Sequence, residues 1–73
     1  MRILLRHPET EAFFVCYATL VTYLMNEKKL CITSSGYIFK VAMSAYTYDN
    51  VMRQLFKDGY ADLSSVFCEV ENE

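Results

Sequence analysis

Residues 12–25 read "AFFVCYATLVTYLM", fourteen consecutive positions without a charge and, apart from the tyrosines, with only Thr19 and Thr22 carrying hydroxyls. In a chain of 73 residues this segment is the main constraint on folding, because whatever it forms must be covered by the little chain that remains. As one long strand, its odd positions (Phe13, Val15, Tyr17, Thr19, Val21, Tyr23) and its even positions (Ala12, Phe14, Cys16, Ala18, Leu20) are both mainly apolar. It therefore shows no single alternation. As a helix, Glu11, Val15, Ala18, Thr22 and Asn26 fall on a stripe of small or polar residues, and Phe13, Cys16, Tyr17, Leu20 and Leu24 line the other side. With no turn residue inside it, the segment predicts a helix. Phe14, Val21 and Met25 then widen its apolar face well past an ordinary stripe.

A domain of this size buries only roughly 60–65% of the surface its unfolded chain exposes. Yet 53% of the residues are hydrophobic, including five Phe and six Tyr. A core this small rarely supplies more than a few kcal/mol, and such domains often need a staple or a partner. The expectation is a surplus of apolar surface, with Phe14, Tyr17 and Val21 covered by a second copy as a homodimer.

The flanking segments supply the rest of the fold. "RILLR" (2–6) reads as a short strand, and "HPETEA" (7–12) as a helix start, with Pro8 preset for a first turn and Glu9 and Glu11 near the positive end of the helix dipole. "LCITS" (30–34) and "YIFKVAMS" (37–44) flank Ser35-Gly36, the signature of a hairpin with a two-residue turn. Tyr37, Phe39, Val41 and Met43 share its core face. Thr47 is the expected N-cap of a second helix, with Asp49 in its first turn, Val51, Leu55 and Phe56 as its apolar stripe and Gly59 as its terminator. "SSVFCEV" (64–70) alternates as a last strand, and residues 71–73 are expected to fray. The resulting order is β-α-β-β-α-β, a ferredoxin-like (split βαβ) single domain over residues 1–73 with two helices on one face of an antiparallel sheet. A three-stranded α+β domain is the fallback.

The chain shows no chemistry by motif. Cys16, Cys31 and Cys68, spaced by 15 and 37, make neither a disulfide framework nor a zinc pattern. Each has apolar neighbours, so buried reduced thiols in a cytoplasmic protein are expected. His7, the single histidine, reads as a cap-region or surface residue with no nucleophile motif around any cysteine. Neither enzymatic activity, a cofactor nor a metal is expected. The net charge of −2 argues against a phosphate-binding footprint. "SGYIFKVA" (35–42) matches the RNA-recognition consensus only at Gly36, Tyr37 and Phe39, which leaves RNA binding by hairpin aromatics as an alternative. The uncharged stretch is short for a membrane span, which needs about 17–25 residues. Membrane association is the weaker alternative.

Tyrosines and carboxylates recur together in the second half: Tyr46, Tyr48, Asp49, Tyr60, Asp62 and Glu69. Tyrosine offers rigid area with a hydroxyl at low entropy cost, and acidic neighbours would steer a basic surface toward it. These six are the expected partner-binding residues. The profile is that of a small protein that acts by occluding a larger one. On size, charge and lack of motifs, the expectation is an inhibitor of the kind that phages and mobile elements direct at host defence, anti-CRISPR proteins among them, located in the cytoplasm (the host's, if phage-encoded).

Overall fold

The uncharged stretch folds as two strands. The computed structural model describes residues 1–72 of the chain, and in it β2 spans Phe13–Tyr17 and β3 spans Leu20–Leu24, with a bend at Ala18-Thr19. Ala18 N–H still donates to the Met1 carbonyl at 2.9 Å, beside β1 (Arg2–Arg6), whereas Thr19 N–H donates to the Thr33 carbonyl at 2.9 Å, at the end of β4 (Lys29–Ser34). The chain thus leaves one sheet and enters another between adjacent residues. Inward positions are Phe14 and Cys16 before the bend and Val21 and Tyr23 after it. The parity of burial reverses there, so no alternation runs through the whole segment and both halves look apolar. The expected first helix is corrected on this ground.

After β4 the chain turns at Ser35-Gly36 into β5 (Tyr37–Ala42), then forms α1 (Ala45–Asp58), β6 (Tyr60–Asp62) and β7 (Glu69–Asn72). Strand orders are β2-β1-β6 in the first sheet and β3-β4-β5-β7 in the second, with β6 parallel to β1 and the other pairs antiparallel. Seven strands and one helix among the described residues replace the β-α-β-β-α-β arrangement and its three-stranded fallback.

The core lies between the sheets. Ile3, Leu5, Cys16 and Ala61 come from the first, Val21, Leu30, Ile32 and Val41 from the second, and Val51 and Leu55 of α1 close one side with Leu63 and Cys68. Full burial of each Leu or Ile contributes about 1.5–3 kcal/mol.

The hairpin forms as its sequence indicates. Ser35 and Gly36 both have positive φ (45° and 85°), the two-residue turn whose twist matches the flanking strands. Val41 is buried, with Phe39 and Met43 packed against the core, while Tyr37 at the strand end remains exposed. Gly59, at φ 68°, ends α1 by donating to the Leu55 carbonyl at 2.8 Å.

Four local expectations change. Ser44 rather than Thr47 caps α1, its hydroxyl accepting the Thr47 N–H at 3.2 Å, so Asp49 lies beyond the first turn and Phe56 points outward. "HPETEA" is the β1–β2 connection: His7 Nδ1 accepts the Glu9 and Thr10 amides at 3.1 and 3.4 Å and holds it as a turn. Residues 64–68 are a loop, and only Glu69–Asn72 pair with β5. Residues 71 and 72 belong to that strand, and residue 73 lies outside the described residues.

Candidate functional site

The two sheets present outer faces of opposite character. On the second sheet, Lys29 meets Glu69 at 2.8 Å, and Lys40 meets Glu71 at 3.4 Å and Glu27 at 3.5 Å. Partial burial works against the Lys40 charge, but Glu27 and Glu71 outweigh it and hold the ammonium above its ordinary value. Its charges answer one another, which makes this face an ordinary solvated surface.

The first sheet differs. The register sets its outward side chains in rows: Val15, Leu4 and Asp62 in the middle, with Tyr17, Arg2 and Tyr60 on one side. On the other side Phe13 lies beside Arg6, and Phe67 completes that row because Cys68 N–H donates to the Arg6 carbonyl at 3.0 Å. Two rows of aromatic, arginine, aromatic therefore flank Leu4 and Val15, with Asp62 at the β6 end of the middle row. Phe13 is 59% exposed, Val15 44%, Tyr17 68% and Phe67 47%, so nothing among the described residues covers this face.

The arginines are held by the rings. The Arg6 guanidinium carbon lies 5.1 Å from the Phe13 ring centre and 4.9 Å from that of Phe67, and Arg6 Nε donates to the Glu11 carbonyl at 3.2 Å. Arg2 lies 5.6 Å from the centre of Tyr60. Each contact contributes about 0.5–1 kcal/mol at an exposed site, and together they restrict these long side chains. Asp62 accepts from the Ser64 hydroxyl and amide, which lower its pKa and keep it ionised at the edge of the face.

A second feature opens between the sheets at the β2 end: a groove of about 260 Å³ lined by His7, Phe14, Tyr37, Phe39 and Val70. Phe14 and Phe39 are 5.4 Å apart between ring centres, Phe39 and Tyr37 6.1 Å, and His7 and Phe14 6.2 Å. Because Nδ1 of His7 accepts two amides, the proton of the neutral ring sits on Nε2. The two aromatics expected to serve RNA are thus walls of this groove, with Phe39 packed against the core.

Of the six expected partner-binding residues, only Tyr60 and Asp62 lie on the aromatic–arginine face. Tyr46 and Asp49 are exposed on α1, Tyr48 stacks on Tyr23 at 4.9 Å, and Glu69 pairs with Lys29. Of the three self-association residues, Val21 is in the core, Phe14 is half-buried in the groove and Tyr17 is on the exposed face. Phe13, Val15, Phe67, Arg2 and Arg6 were missed. The signal was available in part: Arg2, Leu4 and Arg6 alternate with the buried Ile3 and Leu5 along β1.

The three cysteines are unpaired, with Cys16 and Cys68 buried and Cys31 half-buried. Among the described residues no cluster of three His, Cys, Asp or Glu is placed to hold a metal ion, and no helix is long and apolar enough to cross a membrane. No protein-family model, curated protein or solved structure matches this chain.

Proposed function

We propose that this chain is a non-enzymatic binding protein that docks the outer face of β2-β1-β6 on a larger protein and acts by covering that protein's working surface. The observation that carries the reading is the pair of aromatic–arginine–aromatic rows around Leu4 and Val15. Aromatic residues and arginine dominate the energetic centres of protein interfaces, because they bury large rigid areas and still make directed polar contacts. Here the ring contacts already restrict the arginines, which lowers the entropy cost of docking. Occlusion needs no chemistry in the blocking chain, so inhibition is the form of action that suits it. The unpaired thiols fit a reducing compartment such as the cytoplasm.

The test compares Tyr17→Ser with Phe67→Ser on the face against Tyr46→Ser with Phe56→Ser on α1, where both side chains are exposed. Each variant is used to capture proteins from a cell lysate, and any complex is sized by gel filtration. The face variant loses its partner by at least about tenfold while the helix variant keeps it. Equal retention by both would defeat the proposal. A salt-dependent nucleic-acid complex in place of a protein would replace it with the nucleic-acid reading.

A further inference from the structure

The free edge of β2 is complementary to itself. In an antiparallel ladder, hydrogen-bonded pairs alternate with non-bonded ones. His7 N–H donates to the Ala12 carbonyl at 2.8 Å and Ala18 N–H to the Met1 carbonyl at 2.9 Å, which fixes the phase of the β1–β2 ladder. Residues 12, 14, 16 and 18 therefore turn their backbone groups toward β1. Phe13, Val15 and Tyr17 turn theirs to the opposite edge, and β2 is the last strand of its sheet. The Tyr17 carbonyl accepts from Ser34 Oγ at 2.8 Å. Among the described residues no turn or loop bond reaches the amides or carbonyls of Phe13 and Val15.

Folded proteins blunt such edges with charge, proline, bulges or short strands. The other outer strand of this sheet, β6, has three residues and carries Asp62, and β7 of the second sheet carries Glu69 and Glu71. β2 ("FFVCY") and β3 ("LVTYL"), the remaining outer strand of the second sheet, have five residues each and none of these devices, but only β2 contributes a wall of the groove.

We propose that the chain self-associates by antiparallel pairing of β2 with β2 of a second copy, around a two-fold axis at Phe14. This is the register that pairs the two unengaged residues with each other, Phe13 of one copy with Val15 of the other and the reverse, and it closes four backbone hydrogen bonds. It also places the two Phe14 side chains side by side on the inner surface, where each copy's groove of about 260 Å³ is already walled by Phe14, Tyr37, Phe39 and Val70. The Phe14 ring of the second copy occupies that groove. An uncharged strand meets its copy without repulsion, although the chain as a whole carries a charge of −2. The paired sheets become one six-stranded sheet, and the aromatic–arginine faces of both copies lie on the same side.

Two five-residue edges make a small interface, at the low end of specific contacts, so the dimer is concentration-dependent. Sedimentation velocity of the full chain over a dilution series reads the mass, expected to move from 8.5 kDa toward twice that value as concentration rises. Val15→Pro removes an N–H that faces away from β1 and leaves the β1–β2 ladder whole, since proline is tolerated on an edge. It removes two of the four inter-copy bonds and weakens dimerisation by about tenfold or more. Tyr17→Ser with Phe67→Ser leaves the dimer intact, which separates this proposal from the docking face above. Amide exchange of the parent chain supplies a readout independent of any variant: Phe13 and Val15 slow with concentration, whereas Phe14 and Cys16, bonded to β1, do not change. A mass that stays at 8.5 kDa up to millimolar concentration overturns the proposal, as does a dimer in which Phe13 and Val15 exchange no more slowly than in the monomer.

Discussion

Ser34 joins the two sheets at the bend, and its removal measures how firmly they are held. Its hydroxyl donates to the Tyr17 carbonyl at 2.8 Å, linking the end of β4 to the end of β2, and Ser34 is the one buried polar side chain among the described residues. Ser34→Ala deletes that donor and adds no bulk. A neutral hydrogen bond contributes about 0.5–1.5 kcal/mol net, and a carbonyl left without its donor in a partly dry site adds to the loss. The expected destabilisation is about 1–2 kcal/mol. With an unfolding entropy of about 2.1 cal/mol/K per residue, a chain of 73 residues loses about 6 °C of Tm for each kcal/mol. The melting temperature, followed by circular dichroism, is thus expected to fall by about 6–13 °C. Ser65→Ala, at an exposed loop position, provides the control and moves Tm by less than about 2 °C. A Ser34→Ala protein that melts within 1 °C or so of the parent refutes the reasoning, because the bend would then be fixed by backbone pairing alone.

Three further outcomes rest on burial and backbone geometry. Burial pushes the Cys16 and Cys68 thiols up, with the Ser34 hydroxyl partly offsetting this for Cys16, so both ionise more readily in the unfolded chain. Their contribution to stability is full below the ordinary thiol value of 9.0 and declines as pH rises above it. A thiol reagent near neutral pH is expected to label the half-buried Cys31 first, and Cys16 and Cys68 only as the fold opens. Equal labelling rates would contradict this, and so would an alkaline fall in the urea midpoint that is no smaller in Cys16→Ala with Cys68→Ala. Gly59→Ala meets no neighbouring atom but must hold φ at 68°, so it is expected to cost about 1 kcal/mol in urea melts, and a neutral result would mean that the end of α1 rearranges.

What the sequence disclosed of the fold was local. The Ser35-Gly36 hairpin, the end of α1 at Gly59 and the burial of Val51 and Leu55 each follow from residues a few positions apart, and each is present. The first helix failed for a reason that lies in no local window. At Ala18-Thr19 the chain changes sheets, and its inward side changes with it. No glycine or proline marks the place, because Ala18 and Thr19 are held there by Met1 and Thr33, partners far along the chain. β6 was missed for the same kind of reason. Three residues carry no period, and the strand exists because β1 offers it a parallel neighbour.

The same reversal explains why the candidate face was only half visible. An apolar surplus was legible from composition, and it was assigned to Phe14, Tyr17 and Val21 as one flank of a helix. Strand geometry sorts those three differently: Val21 faces the core, Phe14 faces the groove, and Tyr17 joins Phe13 and Val15 on the open side. The exposed apolar side chains therefore lie elsewhere than the helical reading places them. Its arginine component could not be read from β2 at all, because Arg2 and Arg6 reach Tyr60, Phe13 and Phe67 only through pairing across the sheet and the loop beyond β6. A surface composed from three separate segments is specified by register. Any change that shifts β1 against β2 by one residue would turn Arg2, Leu4 and Arg6 inward and dismantle the face together with the core.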